Sequence, residues 1–182
     1  VLVKTGYKPK VNFRFVAFAA EELGLIGSDH YAAAAKAAGR NVVLMQNYDM
    51  IGHRLSSQSD RDVYVVWYPG SEKEALLDSA LKRTYTTLTP VLTTTYRSQS
   101  DSWPFYTRGY KAVFTIEHDF SPVYHTPGDT SGILDFGYAA EIVRSGLALL
   151  LTMDAAATTG VYARTEPTTW TLQQNYPNPF NP

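Results

Sequence analysis

Short apolar runs of strand type alternate with longer helix-type stretches along this chain, and that order constrains the fold more than any single residue does. Residues 11–19 form a dense run with aromatics, continuous rather than alternating, as expected of a strand buried on both faces. Residues 25–38 read as an alanine-rich helix with Gly39 as its stop. Residues 41–48 and 62–68 read as further strands, the second closed by Pro69-Gly70, and residues 72–87 as an amphipathic helix with Ser71 as its N-cap. A polar loop, a strand over 111–117, a Pro/Gly-punctuated loop over 121–132 and a helix from Phe136 to about Ala157 follow. This order predicts an α/β fold, a three-layer sandwich with helices on both faces of a mostly parallel, mixed central sheet. Ligands of such sheets gather at the carboxyl ends of strands. Glu21, Glu22 and Asp49 fall at such ends, and His125 lies in a loop that follows another.

A chain of 182 residues with 45% hydrophobic residues buries one substantial core, so one main domain is expected over 1–160. From 161 to 182 Pro, Thr, Asn and Gln take over, which reads as a linker or extended tail. The formal net charge is −1 and the basic residues are scattered, which argues against nucleic-acid and anionic-membrane partners. The absence of cysteine excludes disulfides, thiolate metal sites and a Cys nucleophile. The longest apolar run, 147–153, is too short to span a bilayer and reads as part of a buried helix, so no transmembrane segment is expected. The chain opens at Val1 with no signal-like segment and stops at Pro182 inside a Pro/Asn-rich string, and both ends read as cuts through a longer protein.

Adjacent carboxylates at Glu21 and Glu22 repel, and a folded protein keeps both ionised near neutral pH only when a positive group compensates them. A metal ion would do so and leave one carboxylate free to act as a base. A catalytic zinc takes three protein ligands from His and carboxylates and keeps one open position. Asp49, in Gln46-Asn-Tyr-Asp-Met-Ile-Gly52, and His125, in Tyr124-His-Thr-Pro-Gly-Asp-Thr130, are the other ligand types at functional-looking places. Each has a plainer alternative: a turn or cap for the Asp, a solvated loop for the Glu pair.

Residues 15–28, 47–52 and 124–130, in this order and at these separations, closely resemble the zinc-dependent aminopeptidase family often called M28, whose relatives include glutamate carboxypeptidases and glutaminyl cyclases. The likeness extends over most of residues 11–155. It implies a zinc exopeptidase-like α/β fold with a mixed sheet, two zinc ions and a peptide substrate. By the same resemblance Glu21 is the general base that takes a proton from the metal-activated water. Glu22 ligates one zinc, Asp49 is a second carboxylate on that ion, and His125 ligates the other. Tyr124 is placed to donate its hydroxyl toward the oxyanion. Asp129 either orients the histidine loop or is a simple turn residue. Ser100-Asp-Ser-Trp-Pro-Phe105 resembles the family's Ser-Asp-His-x-Pro-Phe segment with Ser102 where a His is common, which leaves Asp101 as a residue supporting the ligands. His30 reads as a surface residue, His53 as a loop residue and His118 as a spare ligand.

The family draws a further His, in a His-x-Asp motif, and a metal-bridging Asp from strands upstream of the Glu-Glu segment, and no His-x-Asp precedes Glu21 here. The chain is therefore expected to be the C-terminal part of a catalytic domain, N-terminal part missing, holding about half of a dinuclear site. Alone it should bind zinc weakly and be inactive, with one carboxylate of the pair protonated or its loop displaced. Leu172-Gln-Gln-Asn-Tyr-Pro-Asn-Pro-Phe-Asn-Pro182 resembles the start of the C-terminal sorting domain of type IX secretion substrates. That resemblance implies secretion machinery as a partner and a secreted or cell-surface location. The function expected is a zinc-dependent exopeptidase releasing N-terminal residues from peptides. A carboxypeptidase, a glutaminyl cyclase, and a non-catalytic ectodomain of the same fold stay open.

Overall fold

The computed structural model describes residues 2–55 and 61–157. Four strands form one mixed sheet in the order β1-β4-β2-β3, where β1 is Met45–Tyr48, β2 Asp62–Trp67, β3 Thr89–Thr93 and β4 Ala112–Glu117. β1 runs parallel to β4 and β2 parallel to β3, while β2 and β4 are antiparallel, with Val65 opposite Thr115. The carboxyl ends of β1 and β4 consequently open at the same edge, and Asp49 and the loop after Glu117 emerge together.

Helices cover both faces, as the alternation of β-strand side chains requires. On one face Val66, Phe114 and Ile116 pack with Ala32 and Ala35 of α1 (Ile26–Ala37) and Phe105 of α3 (Trp103–Thr107). On the other, Val65 and Val113 pack with Ala75 of α2 (Glu72–Tyr85) and Leu149 of α4 (Phe136–Ala156), while Val63 meets Tyr138 and Ile142. This second face also takes in a charge. Lys82 is fully buried, with Nζ 2.7 Å from both carboxylate oxygens of Asp78 and 3.2 Å from Thr115 Oγ1. Burial favours the neutral amine and lowers its pKa, and the charge of Asp78 with its hydrogen bond opposes that.

Five local expectations differ from the structure. Residues 11–19 are not a strand. They pair with no strand among the described residues, and residues 11–16 and Phe18 line a cleft of about 1140 Å3 together with Met45, Val143, Leu147 and Leu150. The second predicted strand is confined to Met45–Tyr48, because β4 begins only at Ala112, opposite Met45, after a turn with Gly109 at φ 81°. Within the expected polar loop, β3 and α3 form: Pro90 sits on an edge strand, where a missing N–H is tolerated. Ser71 occupies the N-cap position of α2, yet its hydroxyl accepts a hydrogen bond from Ala112 N (3.1 Å) rather than capping the helix. α4, at 21 residues, is long and apolar enough to cross a bilayer by length and composition alone, although its Tyr138, Ile142, Ser145 and Leu149 are buried in the fold. Its N-cap is Asp135, which accepts from Tyr138 N (2.9 Å).

Candidate active site

The Glu21–Glu22 pair does not end a strand. It lies in a tight turn that feeds α1, with Gly24 N and Leu25 N both donating to Glu21 O (3.0 and 2.8 Å). Gly27, in the first turn of α1, donates its N–H to Ala19 O (3.0 Å), so that the helix start sits directly on the backbone leading to Glu21. A Cβ at Gly27 would stand 2.5 Å from Ala19 O, which is why only glycine fits.

Backbone strain collects here. Ala20, Met50 and His125 have φ of 57°, 49° and 59°, and Tyr96, on the pocket wall, has 68°. Non-glycine residues visit this left-handed region rarely and at a cost. Three of these positions adjoin or coincide with predicted chemical groups, since Ala20 precedes Glu21, Met50 follows Asp49, and His125 is itself one.

Glu21, Glu22 and Asp49 converge on a small pocket of about 120 Å3 whose other walls are Met50, Tyr96, Gln99, Phe114, Ile116, Phe120 and Tyr124. Burial, followed by the charges of Asp49, Glu22 and Asp101, pushes the Glu21 carboxyl up to about 7, against a lowering by His125. Glu22 meets His125 directly, Oε1 to Nε2 at 2.8 Å, with both side chains open to solvent. The Tyr124 ring stacks on the His125 imidazole, centroids 3.7 Å apart. Burial, then Glu22, Asp49 and Glu21, raise the Tyr124 phenol above its ordinary value, so it stays a hydrogen-bond donor.

A relay of side chains supports Asp49. Asn47 Nδ2 donates to Ser100 Oγ, and Ser100 Oγ donates to Asp49 Oδ2, each at 2.7 Å. Neither Asn47 nor Ser100 is among the site residues expected from the sequence, although Ser100 opens the segment that carries Asp101. Asp101 is partly buried; burial and Asp49 raise its carboxyl and a hydrogen bond with Ser28 lowers it, while its Oδ1 is buried without a hydrogen-bond partner. Ser102, at the position where a His is common, is fully buried with Oγ 2.7 Å from Tyr68 Oη, away from the acidic pocket.

The remaining residues take structural places. Asp129 closes a turn through its N–H to Thr126 O (3.0 Å), and its residue is exposed. His53 Nδ1 lies 2.9 Å from Asp119 O, a loop role. His118 is held by Asp119 Oδ1 (3.1 Å) and packs against Tyr64 at 4.5 Å between ring centroids, so its ring is engaged outside the carboxylate pocket. His30 is exposed.

The donors suit a borderline ion such as zinc: carboxylate and imidazole, with no thiolate. The fit is partial. Among the described residues, no group of three or more His, Asp or Glu side chains stands close enough to hold an ion. The chain contributes a contacting Glu22/His125 pair and a separate, oriented Asp49 carboxylate.

Comparison with known proteins finds metallopeptidases and aminopeptidases. Over 173 residues the chain is 30% identical to a probable zinc metalloprotease of Pyrenophora teres f. teres, covering 84% of this chain and 37% of that protein. It is 30% identical to leucine aminopeptidase 1 of Coccidioides posadasii over 137 residues, 72% of this chain and 35% of the relative. The chain thus spans little more than a third of these relatives' length. Among solved structures, LapB from Legionella pneumophila superposes with a TM-score of 0.75 at 21% identity, over 84% of this chain and 42% of LapB, a likeness of fold. Residues 1–150 match the sequence profile of Peptidase family M28, and the chain belongs to that family.

Proposed function

We propose that this chain carries the base and part of the ligand set of a zinc-dependent aminopeptidase that releases N-terminal residues from peptides. The observation that carries the reading is the position of Glu21. Its carboxyl is raised to about 7 at the mouth of a pocket it shares with Glu22, Asp49 and Tyr124. A base with that pKa both accepts and returns a proton near neutral pH. Names of relatives, a zinc metalloprotease and a leucine aminopeptidase, support the metal and the reaction class.

Two zinc ions are proposed for the complete site. The 2.8 Å contact between Glu22 and His125 supports placing these two on one ion, in place of the Glu22/Asp49 pairing expected from resemblance, with Asp49 on the other. Bound there, zinc would supply a Lewis acid that polarises a carbonyl and lowers the pKa of water. Within the chain itself, Glu21 holds the transferable proton, Tyr124 presents a phenol to a developing oxyanion, and Ser100 fixes the Asp49 carboxylate.

The 182-residue chain alone is proposed to bind zinc weakly and to turn over poorly, since its described donors form pairs rather than triads. Residues 158–182 lie outside the described residues, and with them the segment resembling a type IX sorting domain. Its resemblance supports a secreted or cell-surface location and a role for secretion machinery.

The deciding experiment replaces Glu21 by Gln in the complete enzyme and assays aminoacyl anilides, blocked dipeptides and N-terminal glutaminyl substrates. Zinc content should be retained while kcat on the anilides drops by about 100-fold or more. Unchanged turnover removes Glu21 from the mechanism, and activity on blocked dipeptides or cyclisation alone moves the protein to the carboxypeptidase or cyclase branch.

A further inference from the structure

Past the acidic pocket, the most heavily constrained turn at the site edge is the one that follows Asp49. Met50 is held in the left-handed region at φ 49°. A cluster of bonds to a single residue, Glu117 at the end of β4, spans the same turn. Glu117 N donates to Met50 O at 2.8 Å. Its Oε2 accepts from Gly52 N at 3.1 Å and from His53 N at 2.7 Å. The side of the turn away from Glu117 is fixed by Asp135 N donating to Gly52 O at 2.7 Å.

Glu117 is only 2% exposed, and burying a carboxylate whose described hydrogen bonds are to two backbone N–H groups is an expensive way to fill space. β4 is otherwise a run of Ala112, Val113, Phe114, Thr115 and Ile116, where an apolar residue would pack without penalty. An apolar residue would, however, orphan the Gly52 and His53 amides inside the fold. The strained Met50 turn would then have less to hold it. Asp49 is the residue just before that turn: its own N–H reaches Thr115 O at a long 3.3 Å, and its carboxylate is aimed by Ser100 at 2.7 Å.

We infer that Glu117 is a positioning residue for Asp49, clamping residues 50–53 so that the Asp49 carboxylate stays on Ser100 and faces the pocket. Its acceptor oxygen does this work, and its charge is not required. The inference rests on the reading of Asp49 as a ligand only for its consequence toward zinc.

The test uses the 182-residue chain with Glu117→Gln, Glu117→Asp and Glu117→Leu. A Gln carbonyl can accept both amides, whereas Asp withdraws the acceptor by one methylene and Leu removes it. Amide hydrogen exchange at Gly52 and His53 should stay within about threefold of the parent in E117Q. It should accelerate more than about tenfold in E117D and E117L, with residues 113–116 unaffected. In a crystal structure of E117D the Asp49 carboxylate should leave Ser100 Oγ, and zinc affinity by chelator competition should fall at least about tenfold in E117D and recover in E117Q. If E117L fails to fold, E117D and E117Q decide. Unchanged exchange at Gly52 and His53 in E117D overturns the clamp, as does an opened turn with Asp49 still on Ser100, or exchange rising equally along β4. Failure of the parent chain to take up zinc would reflect the weak binding proposed for a partial site and leaves exchange and crystal geometry to judge the clamp.

Discussion

Glu22 Oε1 lies 2.8 Å from His125 Nε2, across 103 positions of sequence. Two ligands of one tetrahedral zinc, each about 2.0–2.1 Å from the metal, stand roughly 3.3 Å apart. A small opening of this contact therefore accommodates an ion where a proton now sits. Grouping by contact makes a prediction that grouping by resemblance does not. Glu22→Gln and His125→Ala should each lower zinc affinity by more than about 100-fold, beyond the usual cost of removing an outer partner. Combined, they should cost little more than either alone, because on the proposed grouping they empty the same ion site. Asp49→Asn should instead add its full effect to either. Competition with a chromophoric chelator reads all of these, and additivity between Glu22 and His125 would return them to different ions.

Gly27 ties helix α1 to the base. Any side chain there meets Ala19 O at 2.5 Å and Ala19 N at 2.8 Å, both backbone atoms that cannot swing aside. Gly27→Ala should cost about 1–3 kcal/mol of stability as overpacking does, measured by urea denaturation. It should also lower kcat of the complete enzyme, since the displaced backbone leads through Ala20 to Glu21. A variant as stable and as active as the parent would show that the turn tolerates the shift.

The α/β class and the helices α1, α2 and α4 were legible because apolar periodicity is a local property that survives tertiary packing. Residues 11–19 show where locality ends. Their apolar pattern is a propensity for a strand, yet a strand is a pairing, and no strand among the described residues pairs with this segment. The antiparallel placement of β2 against β4 was equally hidden, because strand direction is set by packing at a distance. At the site, Glu21, Glu22, Asp49, Tyr124 and His125 were readable as motif residues, and the structure brings the carboxylates together with Tyr124. Ser100, Asn47 and Glu117 were not, since a hydroxyl, an amide and a carboxylate that act through hydrogen bonds to another residue leave no spacing rule behind.

Stability should fall as pH rises through neutrality. Burial pushes the Glu117 carboxyl up to about 7, partly offset by the Gly52 and His53 amides and by the charge of His53, and Glu21 is raised to the same region. A carboxyl whose folded pKa lies above its unfolded value near 4.5 binds more protons in the native state. Its contribution is fully present below about 4.5 and is lost as pH rises through about 7. For the buried Glu117 the shift corresponds to on the order of 3 kcal/mol. In metal-free protein Tm should drop by about 6–12 °C between pH 4.5 and 7.5. Glu117→Gln should flatten the profile by most of that amount, because a carboxamide does not titrate. A Tm that rises across this window in metal-free protein would contradict both assignments.

Ser100 makes the most economical test of how Asp49 is held. Its hydroxyl accepts from Asn47 and donates to Asp49 Oδ2, both at 2.7 Å, and a short bond to an ionised acceptor is among the stronger kinds. Ser100→Ala removes a few atoms from a buried position and leaves the Asn47 amide without that partner, so a loss of about 1–3 kcal/mol of stability is expected. The ligand effect should be separable from it. Partners that orient ligands are worth about 10–100-fold in metal affinity or activity, and Ser100→Ala should fall in that range for zinc. Asn47→Asp separates the two halves of the relay. The serine keeps a neighbour, yet as an acceptor the new carboxylate competes with Asp49 for the one hydroxyl proton. Zinc affinity should therefore drop in N47D as well, although Ser100 is intact, and the drop should shrink at acidic pH as the introduced carboxyl protonates. Equal zinc binding by S100A, N47D and the parent chain would show that Asp49 needs no relay to hold its aim.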